Sequence, residues 1–230
     1  MRRSILTGGL VLALSALAGC TPQTALVGAL LPDGAIPILL SHLQRVDDTN
    51  LRRIVELEAR RDWDGLAKFA EENLAQDRNR NNADWWLIAG YAHSQARRYQ
   101  RAIECYGEMV RLEPDEMLGW NLLAQSYRSA GQPLRAVQTL NNALRVRQEA
   151  PVSWFLLGES YSDLNRHDQA AGAYRGAVKL QPGFAEAWFG LGQAQARLGR
   201  LADFDETVRV LEKLSPALAA ELTKGRPAPR

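Results

Sequence analysis

Cysteine, histidine and serine are the side chains through which this chain of 230 residues could do chemistry, and their spacing limits that chemistry. His42, His93 and His167 form no HExxH or related ligand spacing, and neither a glycine-rich phosphate loop nor a GxSxG elbow occurs. Gly158-Glu159-Ser160-Tyr161 approaches the elbow, but helix packing accounts for the glycine and a helix surface for the serine. No catalytic residue, metal ligand or cofactor site is expected, and the chain reads as a non-enzyme. Cys105 has no internal partner for a disulfide and reads as a small packed residue. Cys20 is different: it ends an uncharged run from Ile5 to Ala18 that Arg2 and Arg3 precede, the layout of a secretory signal peptide.

The stretch Leu17-Ala18-Gly19-Cys20 resembles the lipobox of bacterial lipoproteins. The resemblance implies cleavage after residue 19, lipidation of Cys20 and anchoring by acyl chains, each buried methylene contributing about 0.8 kcal/mol. The apolar run is shorter than the roughly 18 residues of a membrane span. Thr21, rather than aspartate, follows the cysteine. In lipoproteins of this kind that implies the outer membrane and its periplasmic face.

Removing residues 1–19 leaves 211 residues and lowers the Lys and Arg count from 28 to 26, equal to the 26 Asp and Glu. A neutral chain lacks the basic excess of a nucleic-acid binder, so no nucleic acid is expected as partner. An apolar content of 46% suits a globular core rather than disorder.

The elements that position any functional side chain follow from a fixed period. Trp86, Trp120, Trp154 and Trp188 are spaced 34 residues apart. Small residues Gly90, Ala124, Gly158 and Gly192 keep the same register, as do His93, Tyr127, Tyr161 and Gln195, and then Tyr106, Leu140, Tyr174 and Val208. Trp154, Leu157 and Tyr161 recur at helical spacing and share a face. Gly131, Asn165 and Gly199 stand where a left-handed residue ends a first helix, and Pro114, Pro182 and Pro216 stop a second.

These residues resemble the tetratricopeptide repeat, two antiparallel helices per unit; residues 151–184 match at Trp154, Leu157, Gly158, Tyr161, Ala170, Tyr174, Ala177 and Pro182. The resemblance implies an all-α, right-handed superhelical solenoid with repeats at 83–116, 117–150, 151–184 and 185–218. His93, in place of the family's packed tyrosine, reads as a core histidine, and His167 as solvated in an interhelical turn. Phe204, in place of a small Ala, suggests looser helix pairing in the fourth unit. Residues 49–82 read as a degenerate helical pair and 219–230 as the end of a capping helix and a disordered tail. Residues 20–48 form a lipidated apolar segment and linker with a turn at Pro32-Asp33-Gly34. It either packs on the first unit or the lipid, or occupies the groove until a partner displaces it.

The family's groove positions fall on Leu87, Tyr91, Ser94, Gln95, Asn121, Gln125, Arg128, Phe155, Glu159, Ser162, Asp163, Phe189, Gln193 and Arg197. Amides at Asn121, Gln125 and Gln193 suit a peptide backbone, and Tyr91, Phe155 and Phe189 offer apolar anchors. The groove has no lysine, so chaperone-type carboxylate clamping is not implied. Arg128 and Arg197 could hold a carboxylate unless Glu159 and Asp163 already pair with them. The expected partner is a protein, as an extended peptide or a helix. The plan resembles that of type IV pilus pilotins and repeat lipoproteins of secretion or outer-membrane assembly. The rival expectation is a regulator or adaptor of cell-wall enzymes.

Overall fold

A computed structural model describes residues 42–76 and 79–226. The expectations for the signal peptide, for Cys20, for the apolar segment up to residue 41 and for the last four residues fall outside them.

The described residues are helical and contain no strand. In chain order the helices are α1 (Asp48–Ala59), α2 (Trp63–Leu74), α3 (Ala83–Gln95), α4 (Tyr99–Leu112), α5 (Met117–Ser129), α6 (Pro133–Val146), α7 (Pro151–Asp163), α8 (His167–Leu180), α9 (Ala185–Arg197), α10 (Leu201–Leu214) and α11 (Pro216–Lys224). Each packs on the next, and the first helices of successive units also touch, α5 on α7 and α7 on α9. That contact puts the first helices on the inner side of the stack.

The starts are chemically marked. Asp47 accepts from the backbone N–H of Thr49 and Asn50, and Asp62 from that of Gly65, while Pro133, Pro151 and Pro216 occupy first-turn positions where no N–H is needed. The turns inside the units share one geometry. Gly131, Asn165 and Gly199 have φ of 72°, 56° and 70°, and Arg97, at the same place in the first unit, has 56°. The next N–H closes each turn onto the carbonyl of His93, Tyr127, Tyr161 or Gln195.

Arg97 is exposed and carries a side chain in a backbone region that disfavours one. Arg97→Gly should therefore stabilise the chain by about 0.5–1 kcal/mol. A higher midpoint in denaturant unfolding is the expected result; an unchanged or lower midpoint would contradict the argument.

The periodic tryptophans are half-buried. Each indole N–H donates to the carbonyl six residues earlier: Trp86 to Arg80, Trp120 to Pro114, Trp154 to Gln148 and Trp188 to Pro182. They tie down the turns between units, where chain carbonyls have no helical partner. Trp85, not its neighbour in the repeat register, is the fully buried indole, edge-on to Phe69 of α2 at 5.7 Å.

The close approaches of first and second helices follow the small residues. Ideal Cβ atoms on Gly90 and Gly158 would lie 2.5 and 2.6 Å from the rings of Tyr106 and Tyr174. In the fourth unit Val208 replaces that tyrosine, and Leu222 from α11 reaches Gly192 instead. Phe204 is buried with Leu211 and Leu222, and the two helices of this unit touch less extensively than those of the other three, in line with the looser pairing expected of a large residue there.

Candidate partner-binding surface

The inner helices α5 and α7, with Tyr174 of α8, carry a connected polar network. Arg128, near the end of α5, donates from Nε to Asp163 Oδ2 at 2.6 Å and from one terminal nitrogen to Asp163 Oδ1 at 3.3 Å and Glu159 Oε2 at 3.2 Å. Its other terminal nitrogen donates to Gln125 Oε1 at 3.2 Å. Burial opposes the charge on Arg128, but the hydrogen bond to Asp163 and the charges of Glu159 and Asp163 outweigh it and hold the guanidinium above its ordinary pKa.

Glu159 is held from a second side. The Tyr174 hydroxyl donates to Glu159 Oε1 at 2.5 Å and lies 3.3 Å from Ser162 Oγ. Burial, with Glu159 beside it, pushes the Tyr174 phenol well above its ordinary range, so it stays a donor. Phe155 stacks at 5.0 Å on Phe184 and 5.9 Å from Tyr174. Apolar and charged parts of the surface thus share one support, the Tyr174 ring.

Several expected groove residues do not line open surface. Leu87 and Asn121 are 1% and 2% exposed, and Tyr91 is buried edge-on to Trp63 at 5.8 Å. Asn121 accepts from Ser153 Oγ at 2.7 Å, so its amide secures α5 to α7 rather than offering itself to a peptide. The preceding or following unit closes over these residues, Trp63 of α2 over Tyr91 and Ser153 of α7 over Asn121, whereas Phe155 and Phe189, at the register of Leu87 and Asn121, stay half-buried. Ser94 and Gln95 are half-buried, with Ser94 bonded to the Tyr106 hydroxyl. Arg128 is already satisfied by two carboxylates and holds no free carboxylate site.

Open to solvent are Gln193, Arg197 and Asp163, with Phe155, Glu159, Ser162, Gln125 and Phe189 half-buried around them. Arg197 forms no ion pair with any described residue. The accessible face is therefore an aromatic and amide floor on which Arg197 is, among the described residues, a cation without an ion-pair partner.

The other titratable candidates are accounted for by packing. His93 is buried with Nε2 3.0 Å from Glu71 Oε1, and burial lowers its pKa. His167, read from the sequence as lying in a turn, opens α8 and is half-buried. Burial pushes the Cys105 thiol up to about 12, which leaves it unreactive. No cluster of three potential metal ligands occurs among the described residues, and no described helix is long and apolar enough to cross a membrane.

Two parts of the molecule escaped the sequence reading. Tyr174 appeared there only as a packing position. Arg45 and its acidic partners Asp84 and Glu113 were not singled out, although the acids at 84 and 113 have no counterpart pair in later units.

Comparison with known proteins agrees with this geometry. No curated protein matches the chain. Among solved structures, MamA is similar at 22% identity and a TM-score of 0.59, over 77% of this chain and 93% of MamA. TTC0263, a thermophilic TPR protein of Thermus thermophilus, is 18% identical at a TM-score of 0.58, over 78% of this chain and 98% of its own. YrrB, described as a TPR protein with an unusual peptide-binding site, is 16% identical at 0.60, over 83% and 98%. These likenesses show the fold. The tetratricopeptide repeat model matches residues 87–153, 121–183 and 155–219, more than half of the sequence, and the chain therefore belongs to the tetratricopeptide repeat family.

Proposed function

We propose that the protein is a scaffold of the bacterial envelope, anchored by a lipid on Cys20 to the periplasmic face of the outer membrane, whose inner helices recruit a protein segment to an assembly machine such as a pilus, a secretion system or the outer-membrane assembly apparatus. The family supports a role in protein–protein interaction. The observation that carries the binding part is the accessible face of α7 and α9: Phe155 and Phe189 as rigid apolar anchors beside Arg197, which has no ion-pair partner among the described residues, and the exposed Gln193. Aromatic and Arg side chains supply most binding energy at such surfaces. YrrB, with a peptide-binding site on a similar fold, supports the same use here.

The anchor rests on the lipobox-like residues at 17–20. Cys20→Ala should abolish incorporation of labelled palmitate and release the protein from membranes; continued labelling would overturn the anchor. For the binding face, Phe189→Ala combined with Arg197→Ala should weaken capture of the envelope partner at least about tenfold. Unchanged capture would reject it.

A second reading, docking of a folded cell-wall enzyme along the repeat edge, draws on Val146, Leu180 and Leu214. They end α6, α8 and α10 at the same register and remain 46%, 41% and 41% exposed. Variants of the inner face separate the two readings, because edge docking survives them.

A further inference from the structure

The segment before α1 is seated on the first full unit through contacts of the kind that recognise a ligand. Leu43 and Val46 are buried in the same apolar cluster as Trp85, Leu87 and Met109. Between them, the Arg45 backbone N–H donates to Asp84 Oδ2 at 2.7 Å, and the Arg45 carbonyl accepts from Asn82 Nδ2 at 3.3 Å. The guanidinium pairs with Glu113 and lies 3.7 Å from Asp84 Oδ1. A cavity of about 580 Å³ lies alongside, with His42, Arg45, Asp84, Leu87, Met109 and Glu113 among its walls.

The pairing is asymmetric. The Asp84 side chain is 5% exposed, whereas that of Arg45 is 53% exposed. A buried carboxylate that loses its cation is costly, so Asp84 depends on the pairing more than Arg45 does, whose side chain can leave into water at little cost. The acidic pair is peculiar to this unit: Leu118 and Val152 stand at the place of Asp84 in the next two units, Glu186 keeps a carboxylate there in the fourth, and Arg147, Gln181 and Ser215 stand at the place of Glu113.

We infer that this notch is a docking site for an arginine flanked by aliphatic side chains on a partner protein, and that the chain's own Leu43–Val46 fills it until such a segment displaces it. The site uses none of the α7 and α9 residues invoked above, and it stands or falls independently of them.

The test uses the full-length chain and a fluorescent synthetic peptide of sequence HLQRVDDT, residues 42–49. Arg45→Glu places a like charge beside Asp84 and empties the notch. The peptide should bind this variant at least about tenfold more tightly than the wild type, where the site is filled in cis. Adding Asp84→Asn, or replacing the peptide's arginine by glutamate, should remove the gain. Arg45→Ala, which introduces no repulsion, should give the same order of affinities and serves if Arg45→Glu unfolds. Equal affinity for wild type and variants, or a gain indifferent to Asp84, would overturn the inference and leave the segment a fixed part of the fold.

Discussion

Tyr174→Ala should lower the unfolding free energy by about 3–5 kcal/mol, the range for deleting a large buried ring. The ring is 1% exposed and lies between two helix backbones. Ideal Cβ atoms on Gly158 of α7 and Gly190 of α9 would each approach it to 2.6 Å. Nothing else can fill that gap without moving a helix, so the third and fourth units should uncouple. The thermal midpoint should fall by roughly 10 °C. Tyr174→Phe separates the ring from its hydroxyl: it should cost only about 1–2 kcal/mol while releasing Glu159 from one of its two restraints. A stable Tyr174→Ala variant would show that α7 and α9 are joined by something other than this ring.

Leu222→Ala is the second large effect, at about 2–5 kcal/mol, and it differs in reach. Leu222 substitutes for the missing tyrosine of the last unit, against Gly192, and covers Phe204 and Leu211. A terminal unit of a solenoid contacts only one neighbour, so its loss frays the end rather than the whole. Hydrogen exchange should accelerate in α9 and α10 and remain unchanged in α3 and α4. Uniform acceleration along the chain would contradict a stacked, nearest-neighbour fold.

The fold was legible because a two-helix unit repeats its packing demands. Gly158 and Gly192 announce close approach, and Gly131 and Gly199 announce the turn. Arg97 was missed at the equivalent turn because its residue type gives no sign of positive φ; only its distance of 34 residues from Gly131 does. The tryptophan spacing was plain, but not its purpose, since a hydrogen bond to a turn carbonyl leaves the indole half-exposed. The binding face was less legible. Register predicts which side of a helix faces inward, and it does not tell whether the adjacent helix closes over it. Asn121 and Phe155 share a register position, yet Ser153 seals the first and the second stays half-open on Phe184. Charge pairing across units, as between Arg128 and Asp163, depends on distances that spacing alone leaves open.

The most direct measurement places a photo-crosslinking side chain at Gln193, on the exposed inner face of α9, and compares it in cells with the same side chain at Gln138, exposed on α6. One discrete envelope-protein adduct is expected from position 193, lost when Phe189 and Arg197 are replaced by alanine, and none from position 138. Adducts from 138 alone, or an adduct at 193 indifferent to those substitutions, would contradict the inner face as the site of recruitment.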